Sequence, residues 1–328
     1  MTAGKLSPSA IQDAPRRSMV RRRLREGDLL LRLVALVVTA GALAVIALMM
    51  FDSVRTAWPV FQNFGIIGFL TGQEWAPAFT VYGAWPFLYG TVLTGAIALI
   101  IAVPISVLIA LMVTEILPPR IGQPVAIVVD LLAAVPSVVW GLWGLLVLVP
   151  VIRPFERDVA HSLGQVIPFL GPPTPGPSYF AAGLIIAMMI IPIVAAVTRE
   201  VFASTPRLQR EAVLALGGTR WDVVRSVVLP IGRTGLVAAI LLGLGRAIGE
   251  TIAVTMVVGN NPLVGGSIFS PGYTLASVIA NEFNEATEPL HPEALIALGV
   301  VLLGLAIVVN GAGLIVRRRF ERSAGRGR

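Results

Sequence analysis

The stretch E-A-V-L-A-L-G-G-T-R-W-D-V-V-R-S-V-V-L-P, from Glu211 to Pro230, runs on into an apolar segment containing G-L-G-R-A-I-G-E-T, from Gly243 to Thr251. A charged, amphipathic segment passes directly into one long enough to cross a membrane, and that second segment holds Arg246 and Glu250. Thr205-Pro206 is an N-cap and first-turn signal, and Gly217 is the residue type found just past a helix end, so the spacing predicts a helix between them. Leu208, Ala212, Ala215 and Leu216 then fall on one face. Beyond Gly217-Gly218, Thr219 with Asp222 three residues on predicts a capped second helix. Its apolar face is Trp221, Val224, Val227 and Val228, so two short helices meet at a glycine corner.

Working outward, hydrophobic residues make up 56% of the 328 residues and charged ones 13%, a balance too apolar for a soluble domain and typical of a polytopic membrane protein. No cysteine is present, so disulfides and thiolate metal sites are excluded. Six transmembrane helices are expected: 29–51, then 85–113, 125–151, 179–197, 236–258 and 294–316, each long enough for about 30 Å of hydrocarbon. Residues 1–28 read as a basic cytoplasmic tail, 52–84 as an external loop, 85–316 as a permease core of five spans with a loop at 199–232, and 317–328 as a second basic tail. A cleaved signal peptide is the competing reading of the first span, since Ala40, Ala42 and Ala44 are small, but the apolar run continues past them. Pro104, Pro136 and Pro192 fall inside expected spans and predict kinks covered by neighbouring helices.

The +7 net charge reports orientation. Most of the Lys and Arg lie in the two tails, near Arg120, and between Arg199 and Gly232, whereas the opposite loops hold only Arg55, Arg153 and Arg157. This asymmetry places both termini in the cytoplasm. The external loops are acidic, with Asp52, Glu74, Glu156, Asp158, Glu282, Glu285 and Glu288. Between Arg153 and Ser178 the run G-P-P-T-P-G-P predicts a stiff external turn, either a surface for a solute-binding partner or a plain connection. His161 and His291 are expected in external segments without a second ligand at metal spacing, so no metal site is read. Asp130 and Arg32 are further charges near apolar runs; Arg32 is close enough to a span end to snorkel, and no partner for Asp130 can be named.

The only lysine is Lys5, so no Walker A loop exists here and this chain is not an ATP-hydrolysing enzyme by that route. No nucleophile and base can be placed together for a membrane hydrolase. Arg246 and Glu250, four apart, are expected on one helix face near mid-bilayer. Each costs at least ~2.5 kcal/mol there, which marks a pathway facing water or the bundle interior. Mutual neutralisation is the competing reading, yet a helical pair in the order Arg before Glu returns only a few tenths of a kcal/mol. Arg246 offers a permanent fork for an oxyanion. Glu250 can accept a proton-bearing oxygen, which phosphate still has near neutral pH and sulfate lacks. Gly243, Gly245 and Gly249 leave room for a solute or a close helix.

The spacing of Glu211-Ala212, Gly217 and Leu229-Pro230 resembles the EAA loop of ABC importer permeases, the element that docks on the ATPase. The family prefers Ala where this chain has Val213 and Ile where it has Val227. The run from Leu242 to Asn260, with L-L-A-A-V-P-S-V-V-W-G-L-W-G from Leu131 and P-F-L-Y-G-T from Pro86, resembles PstC-type permease subunits of phosphate-specific ABC importers over nearly the whole chain after the tail. The resemblance implies a type I ABC importer permease fold in the bacterial plasma membrane, all-α. It also implies a heterodimer with a PstA-type permease, two PstB-type ATPase subunits and a PstS-type external phosphate-binding protein. ATP and Mg belong to the partner ATPase, no cofactor is expected in this chain, and Arg246 and Glu250 carry over as charged residues of the phosphate pathway. A permease for sulfate or molybdate, and a secondary transporter working alone, are the alternative functions.

Overall fold

A computed structural model describes residues 9–172 and 176–325, with side chains described for 29–172 and 176–319. The expectations for the start of the N-terminal tail, for Pro173 to Pro175 of the proline-rich turn and for residues 326–328 lie outside the described residues. Six helical segments are long and apolar enough to cross a membrane: Leu29–Phe64, Trp85–Ile116, Ser137–Leu163, Tyr179–Ala203, Arg220–Ile248 and His291–Arg319. Their apolar outer surfaces require lipid or partner chains as surroundings, since water would leave rows of Leu, Ile and Val exposed.

The chain divides at Arg55 into two units. In the first, helix α1 (Ser9–Phe64) presents exposed apolar side chains from Leu29 to Phe51. This helix does not end at Phe51 as expected but continues through Pro59 to Phe64. Beyond Arg55 its last turns are held by packing: Ala57 and Val60 are fully buried in a cluster with Phe69, Trp75, Tyr82 and Phe87. The expected external loop is consequently shorter and ordered. It contains helix α2 (Ile66–Thr71) and a two-stranded antiparallel ribbon, β1 (Trp75–Ala76) with β2 (Val81–Tyr82).

The second unit is built around helices α3 (Trp85–Leu111) and α7 (Tyr179–Ala203). The most apolar window of α7 is 61% buried, against 28% or less for the other spans, so α7 is the central strut. Close approach depends on missing side chains: a Cβ on Gly183 would stand 2.6 Å from Ile97 of α3. Near Pro192 of α7, the Ser106 hydroxyl of α3 donates to the Ile191 carbonyl at 3.1 Å.

Two expected spans are divided. Helix α4 (Pro119–Leu132) stops where Val135 precedes Pro136, a position that disfavours helical backbone, and the third span restarts as α5 (Ser137–Trp143), a π-turn (Gly144–Leu148) and α6 (Val149–Leu163). Pro136 therefore marks a break, not a kink within a span. Both histidines belong to helices and not loops: His161 lies in the last turn of α6, and His291 opens the final helix. Glu156, expected in an acidic external loop, is 1% exposed, and its Oε1 accepts a 2.9 Å hydrogen bond from Ser178.

Candidate functional site

After α7 ends, Thr205 N–H still bonds back to Phe202 O, so this residue closes α7 instead of capping the next helix. Pro206 takes the N-cap position of α8 (Arg207–Ala215) with no side-chain cap. Gly217 turns the corner at φ 86°, and Thr219 caps α9 (Arg220–Val223) in a reciprocal box: Thr219 N–H donates to Asp222 Oδ2 at 2.8 Å, and Asp222 N–H to Thr219 Oγ1 at 3.3 Å. A π-turn (Val224–Val228) then leads into α10 (Leu229–Ile248), with Pro230 in its first turn. The buried face of this segment is Val223, Val224, Val227 and Val228, so Trp221 is not part of it. Trp221 is 63% exposed, Leu208 80% and Leu216 89%, leaving an unpartnered apolar surface on the corner beside Glu211 and Ala212.

Arginines fasten this corner to spans distant in sequence. Arg210 Nη2 lies 3.1 Å from Glu115 Oε1 and also bonds the Phe202 carbonyl. Arg220 Nη1 donates to the carbonyls of Glu115 at 3.1 Å and Ile116 at 3.4 Å, in the π-turn (Met112–Ile116) that closes the second span. Asp130 finds its partner in Arg199 of α7, with Nη2 3.0 Å from Oδ2 and 3.4 Å from Oδ1. The sequence held a partial signal for these ties, carboxylates at span ends on the side carrying the arginine-rich loop, but no spacing rule pairs residues about a hundred positions apart.

Arg246 and Glu250 do not share a helix. Arg246 lies in the last turn of α10, and Gly249-Glu250-Thr251 interrupts the span before α11 (Ile252–Val257). Glycine is a poor helix interior residue, and a carboxylate is favoured ahead of a new helix N-terminus, where Glu250 Oε1 accepts from Ala253 N–H at 3.4 Å. Ion pairs among the described residues join Arg199 to Asp130, Arg210 to Glu115 and His291 to Glu282, and none joins Arg246 to Glu250. Arg246 is exposed and lines a groove of about 580 Å³, while Glu250 is partly buried. The glycines divide their work: a Cβ on Gly243 would meet Val194 of α7 at 2.6 Å, whereas Gly245 faces open space in the groove.

The break has a packing counterpart. On α5, Gly141 lies against Ala253 of α11, where a Cβ would come within 2.9 Å of its Cα, and in the π-turn that follows, Gly144 lies against Ile185 and Val257. Two interrupted segments, each restarting after a residue with weak helix propensity, thus pack on each other beside α7. Irregular backbone at membrane depth is tolerated where protein or a water-lined cavity covers it.

The family described as "Binding-protein-dependent transport system inner membrane component" matches residues 91–322, which takes in the glycine corner, the break and Arg246. The permease named "Phosphate transport system permease protein PstC" of Pasteurella multocida is 42% identical over 288 residues, covering 86% of this chain and 88% of that one. The protein of the same name from Haemophilus influenzae is 41% identical over 286 residues, covering 86% and 90%. This chain belongs to that family, as a PstC-type permease. A crystal structure of a bacterial alginate ABC transporter with its alginate pentasaccharide-bound periplasmic protein contains a chain that aligns with TM-score 0.58 and 14% identity, over 92% of this chain and 96% of that one. That likeness concerns the fold, which is the ABC importer permease architecture. The PstC-type permease is accordingly a multi-pass protein of the bacterial plasma membrane and a transporter subunit.

At the end of the PstC-type permease opposite the glycine corner, a polar clasp closes the fold. Glu282, at the end of α12 (Leu275–Glu282), accepts from Trp75 Nε1 at 2.9 Å and sits 3.1 Å from His291 Nε2 at the start of α13 (His291–Gly325). Tyr82 stacks on His291 and donates to the Pro289 carbonyl at 2.9 Å. Burial, with help from Glu288 and Glu293, raises the Tyr82 pKa, and burial likewise raises that of Tyr273.

Proposed function

We propose that this chain forms half of the translocation pathway of an ATP-driven phosphate importer. The observation that carries the substrate is the 41–42% identity to two permeases named for phosphate transport, over most of both chains. Arg246, unpaired by Glu250 and exposed on a groove, presents its guanidinium fork to two phosphate oxygens. Glu250, released from α10 by the break, accepts a hydrogen bond from the protonated oxygen of the monoprotonated or diprotonated anion. A sulfate dianion has no proton to give and meets a repelling carboxylate, so the pair selects by protonation as well as charge.

The corner at Glu211, Ala212 and Gly217, continued by Leu229 and Pro230, is the ATPase-coupling loop. Its exposed Leu208, Leu216 and Trp221 supply apolar contact and its arginines tie it to the spans. The partners in this reading are a PstA-type permease completing the pathway, two PstB-type ATPases that hold ATP and Mg and perform the hydrolysis, and a PstS-type phosphate-binding protein. Both termini and the coupling loop face the cytoplasm, and the clasp around Glu282 faces the binding protein.

The test replaces Arg246 and Glu250 by apolar residues of similar size in the assembled transporter. Arg246 is exposed and makes no ion pair with Glu250, so the replacement leaves no buried partner charge behind and assembly should survive it. A pathway role predicts normal assembly with lost phosphate uptake in reconstituted vesicles. Uptake at the wild-type rate by the double variant would remove the pair from the pathway. Arg246→Lys, which keeps charge and loses the fork, is expected to lower uptake markedly.

A further inference from the structure

The groove beside Arg246 extends away from Glu250, which does not line it. It is walled by α7, α10 and α13, and its lining includes Leu241, Gly245 and Arg246 from α10 with Asn310, Leu314 and Arg317 from α13. Positions 310, 314 and 317 recur at helical spacing, as do 238, 241, 242, 245 and 246, so each helix gives one continuous face. Gly313 packs against Leu241, and the two helices are successive spans running in opposite directions. Asn310 therefore stands near the level of Gly245, and Arg317 about 10 Å further toward the end that carries the glycine corner, at 1.5 Å per residue. Gly245 leaves open space at the upper end. The Asn310 amide uses one N–H on the Ala306 carbonyl, and its other N–H and its oxygen remain for a ligand.

A lipid-facing groove would not carry Arg246 and Asn310 side by side at this depth, because each loses its hydration there. A groove used only for helix packing would be filled, and this one holds about 580 Å³. Of the consecutive Arg317, Arg318 and Arg319, only Arg317 lines it, since neighbours on a helix point about 100° apart. We infer that Asn310 and Arg317 form an oxyanion exit track, which takes phosphate from Arg246 along the α10–α13 groove to the coupling-loop end of the bundle. This rests on the phosphate-pathway reading of Arg246. Arg317 supplies the charge that draws the anion out of the Arg246 site, and Asn310 supplies a neutral donor between two cations, so that neither holds the anion too tightly to pass it on.

Arg318 provides the internal control, since it matches Arg317 in charge and depth and lies off the groove. Phosphate uptake is measured in vesicles holding the complete transporter at matched levels. Arg317→Gln and Asn310→Leu are expected to lower the maximal rate about tenfold, the scale of one lost charge-assisted hydrogen bond. Arg318→Gln is expected to stay within about twofold, as for an exposed charge. Equal effects of Arg317→Gln and Arg318→Gln would overturn the track and leave only a basic anchor. Normal uptake by Arg246→Gln would overturn the pathway reading and the track together, whereas a failing Arg246→Gln with equal arginine controls sinks the track alone.

The absence of cysteine allows a second measurement that does not depend on turnover. In the assembled transporter, Asn310→Cys should react with an anionic thiol reagent and be protected by inorganic phosphate. Val308→Cys, exposed but on another face of α13, should not react. Failure of Asn310→Cys to react, or equal reaction at both positions, would show that the groove carries no anion.

Discussion

Gly217→Val tests the coupling corner directly. The native residue has φ 86°, and no heavy atom lies within 4 Å of the place where a Cβ would stand, so the whole cost of substitution is conformational. Left-handed backbone costs an ordinary L-residue about 1–2 kcal/mol, with β-branched side chains at the upper end. That lowers the fraction of chains holding α8 and α9 at their native corner by a factor of roughly 5–30. Asn tolerates this region, so the expected order of coupling is Gly, then Asn, then Ala, then Val. The assay is the number of ATP hydrolysed per anion imported by reconstituted transporter, with the amount of copurified ATPase measured in parallel. Membrane insertion should be unchanged, because no span is touched. Gly304→Ala, inside α13 with equally open surroundings, serves as the control and should be harmless. If Gly217→Val coupled as well as wild type, the left-handed corner would have no part in docking and the coupling-loop assignment would lose its main support.

Three further outcomes are expected. Glu115→Gln should weaken the Arg210 tie, costing about 1–3 kcal/mol as a lost charged hydrogen bond; thermal melting in detergent should fall, and the charge swap of Glu115 with Arg210 should recover part of both stability and coupling. Gly90→Ala should prevent accumulation of folded protein, because its Cβ would stand 1.9 Å from the Tyr273 carbonyl oxygen and 2.9 Å from the Tyr179 ring; normal yield and melting temperature would contradict the close contact. Tyr82 and Tyr273 have pKa values raised above 10.0, chiefly by burial. The unfolded chain releases these protons first, so the stability they contribute is complete below about pH 10 and is lost as pH rises toward the folded values. Tyr273→Phe should flatten that alkaline fall in a denaturation series, and an unchanged slope would argue against the burial effect.

The six spans, the glycine corner and the Thr219–Asp222 box were legible because each rests on local chemistry: apolar runs, a left-handed glycine and a cap at fixed spacing. The breaks were not. Hydropathy runs smoothly through 125–151 and 236–258, and only the conformational limits of Val135-Pro136 and Gly249 divide them. Periodicity therefore put Arg246 and Glu250 on one face of a helix that stops between them. The apolar character of Trp221 predicts an inward side chain, yet Val223 takes that place and completes the four valines that fill the buried side of the turn. The ties of Glu115, Asp130, Arg199, Arg210 and Arg220 depend on which helix ends meet in space, and a sequence without covariation does not hold that.

The fastening of the corner to Glu115 and Ile116 has a mechanical meaning. Arg220 and Arg210 grip the end of the second span, which is α3 extended by one π-turn. Over its 32 residues that helix is about 48 Å long at 1.5 Å per residue. It lies along α7, and at its other end Gly90 abuts the Tyr273 carbonyl, just before α12 and the Glu282 clasp. A shove delivered at the corner is thus applied to a rod whose far end bears on the Tyr273 backbone, at the end of the bundle that carries the Glu282 clasp. Pro104 lies within that rod and withholds one amide hydrogen from its ladder, which makes it the point where such a rod yields first.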